Sequence, residues 1–343
     1  MATAKKGSGK GKSKARAPEG REPKSEGSKA ASAKSAAAGA SAAEPPPEDI
    51  GIPGFSDNIR LANDAQGLFT KAAGVAAVAL VVAAVLGNGK NDGFKSFLHS
   101  YLAAYMVALA IGLGSLYWIT LQNLVNSHWS IVARRIGELF ANTIPVIALL
   151  ALPIVIPTAM GNDALYEWAN RALVEKDHLL MHKAGYLNPT FFLVRMIFYF
   201  SFFSLLAGFF LKSSLSQDKS GKGDIVGKMR AAAGPAMIVF ALSLTFCAID
   251  LVMSLDAHWF STIFGVYYFA SCVLCVHATL SLTLIWLQSK GRLKKSVTVE
   301  HYHDMGKMMF AFTIFWAYVG FSQFMLIWYA NLPEETAWYK QRF

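Results

Sequence analysis

Charge is scarce in this sequence. Of its 343 residues only 16% are Asp, Glu, Lys or Arg, while 54% are hydrophobic. Soluble domains carry about 25% charged residues, so a water-soluble fold of this length is excluded. Cysteine is scarcer still. Three in the whole chain exclude a disulfide framework, and there is no C-x-x-C-H for c-type haem and no iron–sulfur cysteine set. P-loop and G-x-G-x-x-G patterns are missing as well. Any redox cofactor therefore has to sit on a partner. No aromatic residue precedes Phe55, and no apolar run follows the first charges, which excludes a signal peptide.

The charge that is present is uneven. The net charge is +10, and residues 1–49 hold 10 of the 32 Lys and Arg against 6 of the 22 Asp and Glu. This Lys/Ala/Ser/Gly stretch, ending in Pro45-Pro46-Pro47, lacks the apolar surface needed to offset ordering entropy. Residues 1–58 therefore read as a disordered basic tail beside anionic lipid rather than a nucleic-acid-binding arm. Residues 59–343 read as a transmembrane helical domain.

A bilayer core takes about 20 apolar residues as helix. Seven stretches qualify, at 68–86, 97–121, 139–157, 191–211, 235–255, 262–287 and 308–330. The expected fold is thus all-α, a polytopic transmembrane bundle of about seven spans. The third holds Pro145, Pro153 and Pro157 and should kink, its freed backbone groups taken up by neighbouring helices. The first is an Ala/Val run with no polar face, which suits the bundle edge. Gly112, Gly114 and Gly208 suit close helix contacts.

Lys and Arg in short loops set orientation. Arg134 and Arg135 lie between spans 2 and 3, Lys212, Lys219, Lys222, Lys228 and Arg230 between spans 4 and 5, and Lys290, Arg292, Lys294, Lys295 and Lys307 between spans 6 and 7. With the tail, this side carries most of the positive charge. The N-terminus is expected in the cytoplasm.

Ionisable residues at membrane depth are expensive and are functional candidates by default. An outer group consists of Arg195 near the start of span 4, Asp250 near the end of span 5, and Asp256 and His258 in the following turn. Tyr267, Tyr268, Gln323 and Tyr329 lie at comparable depth. Acid, imidazole and phenol beside apolar walls suit a quinone head group; an ion pair with an aromatic belt is the plainer account. Asp256 could instead cap span 6. An inner group consists of His128, Arg134, Arg135 and Glu138 at the start of span 3, with His277 in span 6. Glu138 follows Arg135 by three and Arg134 by four, so one helical face holds acid and base. This is a candidate inner end of a proton path, or a basic anchor neutralised by Glu138.

Other signals are weaker. His99 and His258 are the one pair at matching depth for b-type haem. Cys272 and Cys275 fall inside an apolar helix and suit packing with Thr279. His301, His303 and Asp304 suit a solvated loop better than a metal.

At residues 254–269, SLDAHWFSTIFGVYYF, the sequence resembles the polysulfide-reductase/NrfD family of membrane subunits. More narrowly, it is similar to the quinol-oxidoreductase membrane subunits of bacterial alternative complex III. FWAYVGFSQFMLIWYANLPEETAWYKQR, at 315–342, and HWSIVARRIGELF, at 128–140, carry the same resemblance. It implies a bundle built around a four-helix repeat, usually of ten spans, so that about three C-terminal spans would lie beyond residue 343. It also implies a complex in which quinol, with menaquinol the expected form, is oxidised near the outer face. Electrons then pass to iron–sulfur clusters and c-type haem on partner subunits, among them a multihaem cytochrome c. A related NrfD-like membrane subunit is the one usually assigned the quinol site. The present chain would be its partner, conducting protons or scaffolding the complex, with no cofactor of its own. Asp250, Asp256 and His258 match the family's span 5–6 turn, and Arg134, Arg135 and Glu138 match its span 3 start. A secondary transporter fits less well, because transporters place polar groups at the midplane and here they gather near the two faces.

Overall fold

The computed structural model describes residues 64–88, 94–220 and 224–340. The expected basic tail, residues 1–58, lies outside them. The described residues form an all-α membrane protein with seven helical stretches long and apolar enough to cross a bilayer. In chain order the helices are α1 (Asp64–Asn88), α2 (Lys95–Leu124), α3 (Ile131–Ala141), α4 (Ile144–Leu150), α5 (Leu152–Ala159), α6 (Arg171–Val174), α7 (His178–Lys183), α8 (Pro189–Ser220), α9 (Asp224–Leu251), α10 (Phe264–Ser289), α11 (Val299–Ala330) and α12 (Pro333–Lys340). Six of the seven apolar runs read from the sequence fall within one of these stretches, and the run at 262–287 begins two residues before its own, Phe264–Ser289.

The centre of the bundle is α2. It is apolar on every side, and a helix of that kind is buried. It packs against α3, α4, α8, α9 and α10, enclosing Leu109, Leu113, Leu116, Trp118 and Ile119. Close approach to α10 depends on Gly114, where a Cβ would overlap the Cys272 carbonyl oxygen. Outside this centre the usual polarity is inverted. Leu205, Leu242 and Leu282 are exposed, while Arg195, Asp250, Glu138 and His277 are buried. Such a surface is stable in lipid, where exposed apolar groups cost nothing. The edge helix α1 packs mainly on α2 and is exposed along nearly all its length, as its featureless Ala/Val composition suggests.

The third span is broken into α3, α4 and α5. Pro145 and Pro153 stand in the first turns of α4 and α5, where their missing N–H is tolerated. The carbonyl of Leu150 at the second break accepts a hydrogen bond from the Tyr101 hydroxyl on α2 at 2.7 Å. A neighbouring helix thus satisfies the freed group, as expected.

Alternation of the spans places the α2–α3, α8–α9 and α10–α11 connections at one end, called here the basic end. The opposite end carries α6, α7 and the α9–α10 turn. The segment preceding α6 is joined to the end of α9 and its following turn through Tyr166, whose hydroxyl donates to the Leu251 carbonyl at 2.8 Å, and Trp168, whose Nε1 donates to the Ser254 carbonyl at 3.1 Å.

Candidate functional site

At the opposite end, α8 and α9 bring Arg195 and Asp250 together. Arg195 Nε donates to Asp250 Oδ2 at 2.8 Å and Nη2 to Oδ1 at 3.0 Å. The Tyr199 hydroxyl, one helical turn beyond Arg195, donates to Oδ2 at 3.1 Å. The third guanidinium nitrogen, Nη1, donates to the Tyr186 carbonyl at 2.9 Å. The guanidinium packs into the corner between two perpendicular rings, Tyr186, 3.9 Å away, and Phe191, 4.4 Å away. Asp250 is wholly enclosed. Because α9 stops at Leu251, Asp250 lies in the last helical turn. A carboxylate there faces the negative end of the helix dipole, so the bidentate arginine is what makes its charge tenable.

Beside this pair is a cavity of about 220 Å³. Its wall includes Lys183, Tyr186, Met253, Asp256, Trp259 and Phe260. Lys183 is occupied, donating from Nζ to the Ala257 carbonyl at 2.6 Å. The Tyr186 hydroxyl and Trp259 Nε1 are both sealed in without a hydrogen-bond partner. Burial, and then the neighbouring Asp250 charge, push the Tyr186 hydroxyl well above the usual phenol pKa. Burial and Asp250 do the same to Tyr166.

The other two outer candidates behave differently. Asp256 does not cap span 6, because the residue preceding α10 is Ile263. It closes its own turn instead, Oδ1 accepting from the amides of His258 at 3.2 Å and Trp259 at 3.4 Å. A short Asp-x-x loop satisfies its carboxylate locally, before the helix begins. His258 is partly exposed, and its Nε2 lies 2.6 Å from Asp177 Oδ2. Asp177 also N-caps α7, Oδ1 accepting from Leu179 and Leu180. The hydrogen bond with His258, followed by those amides, holds the Asp177 carboxyl below its ordinary range. Tyr268 donates to the Met106 carbonyl at 2.9 Å, and Tyr267 stacks on Trp316 at 5.2 Å; neither lines the cavity.

The inner group sits at the basic end. Arg135 pairs with Glu138 at 3.0 Å and also with Asp218 on α8. Glu138 is buried, and beyond its ion pair with Arg135 neither carboxylate oxygen has a hydrogen-bond partner among the described residues. Arg134 turns away and donates from Nη2 to the Ser127 carbonyl at 2.9 Å. His128 is exposed and takes no part. His277 is buried on α10; its Nδ1 donates to the Val273 carbonyl at 2.8 Å, and Nε2 is unpartnered. No direct hydrogen bond joins His277 to Glu138.

Sequence reasoning missed Tyr186, Tyr199 and Asp177. Tyr199 was within reach, because it follows Arg195 by four and must share its face. Asp177 precedes a helical His-Leu-Leu run as an N-cap should. Nothing local marks Tyr186, which is placed by the fold of the 160–188 segment. Among the described residues, no cluster of three or more His, Cys, Asp or Glu has metal-binding geometry.

Fold and site define an all-α, multi-pass membrane protein with one buried ion-pair site near each end. No family model matches the chain, and no curated protein matches it either.

Proposed function

We propose that this chain is a membrane subunit of a quinol:cytochrome c oxidoreductase of the alternative complex III type. It would lie in a bacterial inner membrane with its basic end and N-terminus in the cytoplasm. Its partners would be a related NrfD-like subunit, an iron–sulfur subunit and a multihaem cytochrome c, which hold the redox cofactors. The sequence resemblance supplies this assignment. The observation that carries it is the cavity beside Asp250, whose wall holds two enclosed, unpartnered donors, Tyr186 and Trp259.

At about 220 Å³ the cavity is smaller than the roughly 300–1,000 Å³ of drug-sized sites. It suits a single head ring entering from the membrane, not a whole lipid. A quinol oxygen needs a donor while it is a carbonyl and a proton acceptor while it is a hydroxyl. Tyr186 can serve both needs, and Asp250 behind it can take the proton. Arg195 keeps that carboxylate charged and oriented beforehand. His258, bound to Asp177 outside the cavity, is not needed for this step. Glu138 and the arginines beside it would form the inner end of a proton route.

The test is purification of the native assembly. It is expected to contain c-type haem and to oxidise a menaquinol analogue, and Tyr186→Phe is expected to slow turnover roughly tenfold, as general acid–base groups typically contribute at least that much. An assembly without haem or quinol oxidation would sink the proposal.

A second reading rests on a different observation. Asp250 already accepts from Arg195 twice and from Tyr199, as a purely structural strut would. On that reading the chain is a scaffold, and Tyr186→Phe leaves turnover unchanged in a complex that assembles normally.

A further inference from the structure

Sealed polar atoms without hydrogen bonds gather in one corner of this protein. They are Nε1 of Trp118, Oε1 of Gln122, the hydroxyls of Ser127 and Ser130, and Nε of Arg134. Trp118 and Ser130 are 0% exposed and Gln122 is 3% exposed. Gln122 follows Trp118 by one turn on α2, and Arg134 follows Ser130 by one turn on α3. The Ser127 amide donates to the Gln122 carbonyl at 3.1 Å, and Arg134 Nη2 donates to the Ser127 carbonyl at 2.9 Å. Gly137 holds the two helices close, because a Cβ there would come within 2.8 Å of the Trp118 ring. The five groups therefore share the single α2–α3 corner.

Buried polar atoms are nearly always paired, so a cluster of exceptions needs a cause. A partner subunit cannot supply it, since these atoms are closed to the surface. Their chemistry narrows the choice further. Trp and Arg nitrogens only donate, Gln Oε1 only accepts, and serine hydroxyls do both. A cation would require acceptors throughout, and an anion would require donors throughout. Water meets both.

We propose that the α2–α3 corner binds a small cluster of ordered water molecules, held by Trp118, Gln122, Ser127, Ser130 and Arg134. At about three hydrogen bonds per buried water, these groups hold about two. Glu138 lies one turn beyond Arg134 on the same face of α3, and Ser127 and Arg134 are themselves only half-buried. The cluster therefore runs from the rim of the basic end towards the enclosed Glu138 carboxylate. Its role in proton supply rests on the function proposed above; the presence of the water does not.

The test reads water rather than turnover. The full chain, in lipid, is moved into D2O, and exchange of the Trp118 indole N–H is followed by ultraviolet resonance Raman spectroscopy, with Trp118→Phe identifying the band. Exchange within minutes is expected despite complete burial. Gln122→Leu combined with Ser130→Ala should slow it roughly tenfold, the loss of about one net hydrogen bond. Gln122→Leu alone, close in volume, serves if the pair fails to fold. An indole that stays protonated for hours would overturn the proposal. So would fast exchange indifferent to both substitutions, which would mean that the helices open instead. If exchange behaves as expected while quinol oxidation is absent, the functional proposal fails and this one stands.

Discussion

The two polar regions of this molecule solve the same problem in opposite ways. At one end, Asp250 and Arg195 are deeply buried and saturated: every oxygen of the carboxylate and every guanidinium nitrogen has a partner. At the basic end, Glu138 is equally buried, but the side chains around it leave donors and acceptors unused. A pair held this way is rigid, and Asp250 has about one acceptor site left of a carboxylate's four, so a visitor is met beside it, in the cavity at Tyr186, with Asp250 behind. An unsaturated cluster is open to small polar molecules. Burial alone therefore does not identify a working site; the unused hydrogen-bonding capacity beside the charge does.

The largest effect should come from breaking the saturated pair. Asp250→Ala leaves an arginine enclosed without its counter-ion, and removing one partner of a buried pair costs about 3–5 kcal/mol. Thermal unfolding in detergent is expected to show that loss, whereas joint replacement with Arg195→Met and Asp250→Leu recovers most of it. If the single substitution proves harmless, the saturated region is not the strut described here. Gly114→Val comes next. Its side chain would meet the Cys272 backbone, so about 1–3 kcal/mol of overpacking strain is expected. Gly208→Ala is the control. An added Cβ there meets nothing within 4 Å, and the change should stabilise the helix by up to about 1 kcal/mol.

Gly208 also marks a limit of sequence reading. It looked like a packing glycine beside Gly112 and Gly114, but which side of α8 it occupies is decided by the whole bundle. The seven spans and the kinked third one were legible because length and proline act locally. The meeting of Arg195 and Asp250 was legible too, from depth, since both lie near one end of adjacent helices. The cavity was not. Tyr186 and Lys183 belong to a polar segment whose path over the helix ends depends on contacts with residues about 70 positions away, such as Lys183 with Ala257. Asp256 was misread because its turn and the start of α10 are separated by residues 257–263, where even the nearer Ser261 and Thr262 give the helix no side-chain cap.

The inner region offers a subtler test of the contrast. Replacing Trp118 with its benzothiophene analogue keeps the bicycle that packs on Gly137 and removes only the indole N–H. If that N–H has a water partner, the substitution costs about 0.5–1.5 kcal/mol, the net worth of a typical hydrogen bond. In a dry corner the same change removes an unsatisfied donor and stabilises the protein. The sign of the shift in unfolding temperature decides between the two.

The smallest effect is expected at the solvent edge of the saturated region, where His258 meets Asp177. This pair is partly exposed, so its loss should leave global stability nearly unchanged. Its signature is in pH. The Asp177 carboxyl is held below its ordinary value chiefly by the His258 hydrogen bond, and a carboxyl with a lowered folded-state pKa adds stability above its unfolded pKa and loses it as pH falls through the folded value. The local contribution should thus be intact at neutral pH and disappear only in acid, below the usual carboxylate range. Removing the imidazole with His258→Ala should move that loss upward towards the ordinary value for aspartate. Proteolytic nicking of the 170–188 segment, followed from pH 6 downward, would report it: nicking is expected to begin at higher pH in the variant than in the parent chain. Coincident profiles would mean that the α7 amides, not His258, hold Asp177 in its charged form, and that the clasp between this segment and the α9–α10 turn depends on Lys183 and the buried Tyr166 and Trp168 contacts alone.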